Sequence, residues 1–257
     1  MSPIQSAERV SRDASDNFVF QRSLLAYSKA AGMIGGRVLE IGTGSGYGVS
    51  VLSASASEFI TVDKFDCGLD FSQYPNVEFR RMNVPPLSGI ETGSMDFVVS
   101  FQVIEHIRKD RELVAEVYRV LKAGGRFIVS TPNKAMSLTR NPWHVREYTA
   151  REFYELLSEQ FAGVQAYGVF GRDNVMEYYE ANRRSVRKIT RFDIFNLQYR
   201  LPRRLLQIPY DILNRINRRR LLAGNTELTS GIKMDDYYLD KVADGCFDLF
   251  YVAEKKG

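Results

Sequence analysis

The stretch Val38-Leu39-Glu40-Ile41-Gly42-Thr43-Gly44-Ser45-Gly46-Tyr47-Gly48 constrains the chain most: an apolar run feeds directly into a loop with glycine at every second position. The apolar run predicts a buried strand, and the glycines predict backbone that turns sharply and approaches a ligand closely. A dinucleotide fingerprint would need glycine or alanine at position 47 after Gly42 and Gly44, but Tyr47 stands there and no other register restores the pattern. A pyrophosphate ligand is therefore disfavoured. What remains is an acid at the strand end, Glu40, a loop carrying Gly42, Gly44 and Gly46, and a second acid, Asp63, at the end of the next apolar run. Asp63 is placed to accept hydrogen bonds from both ribose hydroxyls of a nucleoside. The plain alternative is that these glycines form only a tight turn.

Beyond this loop, short β-rich runs alternate with helical patterns, the signature of a parallel sheet covered by helices. Strands are expected at 37–42, 58–63, 76–81, 95–101 and 126–131, a sixth around 164–167 and a last one at 246–255. A helix over 17–34 would cover the first strand. Leu113, Val114, Val117, Val120 and Leu121 form one helical face that ends at Gly124–Gly125, and Thr149 with Glu152 forms a capping box ahead of Phe153, Leu156 and Leu157. Residues 1–16 read as a flexible tail, 17–170 with 245–257 as the sheet domain, and 171–244 as a helical insertion. With 44% hydrophobic and 26% charged residues, collagenous, low-complexity and disordered classes are excluded. The polar N-terminus and only two cysteines, Cys67 and Cys246, point to a reduced, cytoplasmic setting.

Taken together, VLEIGTGSGYG, TVD, RMNVPPL, MDFVVSFQVIEHI, VYRVLKAGGRFIVSTPN and HVREYTAREFYELL resemble the class I S-adenosylmethionine-dependent methyltransferases, in the type 11-like branch that modifies ubiquinone, menaquinone and sugars. They follow one another in the family's order across roughly half the chain. The resemblance implies an α/β, Rossmann-like seven-stranded sheet in order 3-2-1-4-5-7-6 with the seventh strand antiparallel. It implies S-adenosylmethionine as cofactor. It also implies that Gly42, Thr43, Gly44 and Gly46 line its methionine and ribose portion, that Asp63 binds the ribose, and that Glu40 orients the loop. Asn83, with Val84 beside it, stands where the family often has Asp reading the adenine amino group; an asparagine carbonyl still accepts that N–H. Backbone at Phe101 and Gln102 should face the sulfonium.

Methyl transfer needs a general base only when the acceptor holds a proton. The chain has two histidines, His106 and His144, both expected at the rim where the strand ends meet. If a helical turn begins at Gln102, then Gln102, Glu105 and His106 share one face. Some relatives, among them quinone-pathway O-methyltransferases and small-RNA 2′-O-methyltransferases, look similar here and bind a divalent metal through E-x-x-E-H and a later histidine; Gln102 removes one charged ligand. Three readings stay open: base catalysis by His106 or His144 with Glu105 beside them, a weak metal site, or a structural pair. Tyr27 and Tyr47 are candidate contacts to cofactor or acceptor, packing being the alternative, and Trp143 reads as a lid anchor.

Charge is uneven. Residues 183–220 hold twelve Arg and Lys against Asp193 and Asp211, which leaves 23 basic and 29 acidic residues elsewhere. Pro209 suits the first position of a helix whose Ile212, Leu213 and Ile216 would pack away from Arg215, Arg218 and Arg219. The segment is expected to recruit an anionic membrane surface or a phosphate-bearing acceptor; RNA fits less well, since no RNA-binding motif accompanies the charge. The function expected is methyl transfer to a small-molecule, glycan or lipid-linked acceptor, most reasonably at oxygen. The alternatives are RNA methylation or cofactor binding without catalysis.

Overall fold

The computed structural model describes residues 13–257. Eight strands form one sheet: β1 Arg37–Ile41, β2 Glu58–Asp63, β3 Val77–Arg81, β4 Met95–Phe101, β5 Leu121–Pro132, β6 Gly163–Gly171, β7 Tyr237–Lys241 and β8 Asp248–Glu254. Their order is β3-β2-β1-β4-β5-β8-β6-β7. The first five are mutually parallel, and β8 runs antiparallel between β5 and β6. This is the expected seven-stranded order with one strand added at the edge. The addition, β7, lies inside the stretch read as helical, and it pairs antiparallel with β6 from Tyr167–Lys241 to Gly171–Tyr237.

The helices are α1 Asn17–Ala31, α2 Val49–Leu52, α3 Asp110–Val120, α4 Ala150–Ser158, α5 Asp173–Thr190, α6 Leu197–Arg200, α7 Arg203–Gly224 and α8 Thr226–Gly231. Alternation along β1 divides two cores. Leu39 and Ile41 join the cluster that includes Leu113, Val117, Phe153 and Leu157 of α3 and α4, while Val38 joins the one containing Leu25, Ala26 and Tyr27 of α1 and Val175 of α5. The capping box opens α4: the Glu152 amide donates to the Thr149 hydroxyl and the Thr149 amide to the Glu152 carboxylate. Helix α3 stops earlier than its glycines suggest. Leu121 is already extended and paired with Met95, so it belongs to β5, and Gly124, at φ 75°, turns the chain within that strand.

Of the segment expected to be a tail, residues 1–12 lie outside the described residues, whereas Ala14–Asp16 form a 3₁₀ turn in which Ser15 and Asp16 are buried. Asp16 sets how the basic helix α7 seats. Arg218 Nη1 lies 2.5 Å from one Asp16 oxygen and Arg215 Nη1 lies 3.4 Å from the other. Asn217 donates to Asn182 of α5 and accepts from Ser185, at 2.7 and 2.6 Å. The inward face of α7 is thus polar, and Ile212, Leu213 and Ile216 point to solvent. Pro209 is not the first helical residue: α7 begins at Arg203 and Pro209 sits inside it, on its exposed side. Among the described residues no helix is long and apolar enough to cross a membrane.

The Asp16 pairing makes a stability prediction. Asp16→Ala should lower the unfolding free energy by about 1–3 kcal/mol, the worth of charged hydrogen bonds at a largely buried site. Urea unfolding checks it, and an unchanged midpoint would mean that this carboxylate does not hold α7 in place.

Candidate functional site

Open α/β sheets bind ligands outside the carboxyl ends of their strands, where strand order reverses. Here the reversal lies between β1 and β4, and a cleft of about 400 Å³ opens there. Gly42, Thr43, Gly44, Asp63, Asn83, Val84, Phe101, Gln102 and His106 all line it, so most of the residues singled out from sequence meet in one place. Glu40, Gly46, Glu105 and His144 do not line it. Tyr27, Ser23, Lys64, Met82, Arg108 and Lys109 do, and of these only Tyr27 was a candidate from sequence.

Glu40 works from behind the wall. It pairs in register with Thr61 of β2, on the sheet face covered by α1. The Thr61 hydroxyl donates to Glu40 Oε2 at 2.6 Å and lies 2.6 Å from the Thr43 hydroxyl, so one buried chain of oxygens joins β1, β2 and the loop. The Tyr27 hydroxyl approaches the same carboxyl without reaching good hydrogen-bond geometry, and Oε1 is buried and unpaired among the described residues. Burial, opposed by the Thr61 bond and the nearby Tyr27 hydroxyl, pushes the Glu40 carboxyl up to about 7.

Two glycines permit the close approaches that shape the loop. A Cβ on Gly42, which has φ 96°, would sit 2.3 Å from a Val103 methyl, and one on Gly48 would sit 2.0 Å from the Tyr27 ring. Asp63 Oδ2 accepts the Gly44 amide at 2.9 Å, and Oδ1 accepts the Phe65 amide at 2.9 Å. The acid that lines the cleft at the end of β2 therefore also sets the loop's curvature. Phe101 packs edge-on against Tyr27, ring centroids 4.8 Å apart, and closes the floor.

After β4 the chain departs from the expected helical turn. Gln102 adopts φ 57°, an uncommon left-handed conformation for this residue type, and only Ile104–His106 form a 3₁₀ turn. Gln102 consequently does not share a helical face with Glu105 and His106. It lines the cleft, while Glu105 turns inward, is buried, and accepts the Thr131 hydroxyl at 3.0 Å.

The two histidine rings meet edge to face with centroids 5.0 Å apart, but they face different cavities. His106 lines the glycine-loop cleft, and its Nδ1 lies 3.1 Å from the Trp143 carbonyl. A carbonyl only accepts, so Nδ1 carries the proton and Nε2 the lone pair in the neutral ring. His144 lines two further clefts, of about 210 and 370 Å³, beneath the insertion. Its Nδ1 is 2.7 Å from Glu147 and its Nε2 2.8 Å from the Asn141 amide nitrogen. Glu147, an unanticipated partner three residues on, also accepts the Ser137 hydroxyl at 2.6 Å. Burial works to raise this carboxyl, but the bonds from His144 and Ser137 outweigh it and hold Glu147 below the usual range. The Trp143 indole donates to Asp211 of α7 at 2.9 Å, and Arg203 donates to the His144 carbonyl, so the insertion is tied to the segment that carries both histidines' partners.

Glu105, His106 and His144 offer ligand atoms within 4.8 Å of one another. Three such ligands can hold zinc, but both His144 nitrogens already have partners, and coordination would break one of those bonds. The set is better suited to hydrogen bonding than to a closed metal site.

Comparison with known proteins agrees with this geometry. Residues 39–129 match the family model described as a methyltransferase domain. A protein of Mycolicibacterium smegmatis named "Probable S-adenosylmethionine-dependent methyltransferase" is 36% identical over 163 residues, 60% of this chain and 63% of that protein. A "Ubiquinone biosynthesis O-methyltransferase" of Xanthomonas oryzae is 30% identical over 128 residues, 46% of this chain and 52% of the relative. The chain thus covers less than two thirds of these relatives' lengths. Among solved structures, a SAM-dependent methyltransferase of Thermotoga maritima superposes with TM-score 0.55 at 14% identity, covering 93% of this chain and 92% of its own. Phosphoethanolamine N-methyltransferase 2 of Haemonchus contortus, solved with S-adenosyl-L-methionine, superposes with TM-score 0.52 at 18% identity, over 91% of this chain and 52% of its own. Both support the fold.

Glu105 carries a pH prediction. Burial, against the opposing His144 charge and the Thr131 hydroxyl, pushes its carboxyl up to about 7. An acid raised by folding costs nothing where both states are protonated, below about 4.5; the cost grows as pH rises towards 7 and is complete above it. Glu105→Gln should therefore gain about 2–3 kcal/mol on wild type between pH 5 and pH 8, read from denaturation midpoints at the two pH values. A constant difference would mean that Glu105 is not a raised acid.

The segment that builds the glycine-loop cleft matches a methyltransferase domain, and over 60% of its length the chain is similar to a protein named as a probable S-adenosylmethionine-dependent methyltransferase.

Proposed function

We propose that the chain transfers the methyl group of S-adenosylmethionine to a hydroxyl of a small-molecule or glycan acceptor, with His106 as the base. The observation that carries this reading is His106 itself: it lines the cofactor cleft with Nδ1 committed to the Trp143 carbonyl, so Nε2 holds the lone pair a base requires. When bound, the cofactor supplies a methyl group on a sulfonium, an electrophile that is already activated. The fit of the cleft supports this cofactor: glycine backbone at 44 leaves room, Asp63 offers carboxylate oxygens towards ribose, and Asn83 offers a carbonyl towards adenine.

The chain's remaining work is alignment and exclusion of water. Tyr27 and Phe101 form the apolar floor and Gln102 projects at the β4 end. Acceptor entry is assigned to the side where the 210 Å³ cleft reaches His144, between α1, α5 and α7. That cleft presents aromatic faces from Phe18, Tyr178 and Tyr210 beside amides from Asn141, Asn182 and Asn214, a surface suited to polyhydroxylated acceptors. His144, oriented by Glu147, would hold the acceptor or relay the proton from His106. Relatives named as O-methyltransferases support oxygen as the methylated atom.

Calorimetry with S-adenosylhomocysteine tests the cofactor assignment. Binding should be seen, with NAD(H) and ATP far weaker, and Asp63→Ala should weaken it by about 1–3 kcal/mol as ribose hydroxyls lose a charged acceptor. Wild-type affinity in that variant removes the ribose assignment. On any acceptor that supports turnover, His106→Ala should lower kcat by about 10²–10⁴-fold with cofactor affinity retained, and a chelator should have no effect. Chelator inhibition reversed by a divalent ion would move the role to metal binding.

A further inference from the structure

Fifteen large apolar side chains are exposed among the described residues, and eleven of them lie between Phe192 and Ile216. Leu205, Ile208, Ile212 and Ile216 recur at three- and four-residue steps, so they form one stripe along the outer face of α7. Phe192, Ile194 and Phe195, at 73%, 77% and 62% exposure, continue the apolar surface in the turn before α6. Scattered exposed leucines are ordinary, but a contiguous patch on one helix and its approach marks a surface that meets something else.

The charges around the patch indicate what it meets. Lys188, Arg191, Arg200, Arg204, Arg219 and Arg220 are all exposed, and Arg204, Arg219 and Arg220 stand on the same outward side of α7 as the stripe. Both carboxylates in the segment are held in hydrogen bonds. Asp193 accepts the Leu197 and Gln198 amides, and Asp211 accepts the Trp143 indole. Arg215 and Arg218, which sequence assigned to recruitment, are engaged with Asp16 and take no part.

We infer that the outer face of α7, with the 192–201 approach, is a docking surface for an anionic lipid bilayer. An in-plane helix that places leucine and isoleucine towards the acyl boundary with arginines beside them matches both halves of such a surface, apolar and negative. Face-to-face pairing of two copies would oppose these cations to one another, which disfavours a dimer through the same patch. The pose has a consequence for the site. The inner side of α7, through Tyr210, Asn214 and Asn217, lines the cleft that reaches His144, so a docked molecule would hold that cleft within about one helix diameter, ~10 Å, of the lipid surface.

Sedimentation of the full chain with vesicles tests the inference. Vesicles of phosphatidylglycerol and phosphatidylcholine should retain the protein at least tenfold better than phosphatidylcholine alone, and added salt should weaken that retention. The double variants Ile208→Ser with Ile212→Ser, and Arg204→Glu with Arg219→Glu, should each lower retention tenfold or more. Both should keep the wild-type urea midpoint, which separates loss of docking from loss of fold independently of any activity. Wild-type retention in either variant overturns the proposal. So does a concentration-dependent dimer that the isoleucine variant abolishes without vesicle binding in the parent, and so does RNA retention that only the arginine variant removes.

Discussion

A single buried hydrogen-bond chain, Glu40 to Thr61 to Thr43, governs the shape of the cleft. It couples the ends of two adjacent parallel strands to the first turn of the glycine loop, on the sheet face where α1 closes over them. Burying a carboxyl there disfavours its ionised form, which is why the group is raised to about 7. The return is a loop whose curvature is fixed before any ligand arrives. Gly44 is held by Asp63, Gly48 admits the Tyr27 ring, and Gly42 admits Val103 from the turn after β4. Each strand end is thereby tied to a neighbouring one, and the cleft is largely preformed.

The second organising constraint is the polar underside of α7. Asp16, Asn182 and Ser185 supply acceptors and donors that arginine and asparagine satisfy and isoleucine cannot. Seating Arg215, Asn217 and Arg218 on these groups leaves the isoleucine stripe outward. The insertion is held over the 133–147 segment by polar bonds, from Trp143 to Asp211 and from Arg203 to the His144 carbonyl. The cleft proposed for the acceptor and the outer surface of the insertion therefore sit on opposite sides of one helix.

Much of the sheet was legible from the sequence because parallel strands buried on both faces read as near-continuous apolar runs, and β1, β2, β4 and β5 are of that kind. Edge strand β7, YYLDK, has only Tyr237 buried, carries no such signal, and was read as part of a helical stretch. The glycine-loop residues could be found because backbone chemistry demands particular residue types at particular spacings. Gln102 was placed at the cleft, but its left-handed conformation was not legible, since nothing in the local residue types announces it; its amide donates to the Ser130 carbonyl at 2.9 Å across the sheet. Which face of α7 turns inward was not legible for a related reason. Helical periodicity separates an apolar face from a charged one, but which face turns inward depends on what lies beneath, and Asp16 is some 200 positions away in sequence. Glu147 was visible only as an acid three residues after His144, a spacing too common to single out.

Hydrogen exchange with and without S-adenosylhomocysteine tests the central claim, that the preformed loop held by Glu40, Thr61 and Thr43 is the cofactor cradle. Protection should increase in 42–48, 63–65, 82–85 and 101–109 and stay unchanged in 133–147 and α7. Protection confined to 133–147 and α7, or none anywhere at saturating ligand, would contradict it.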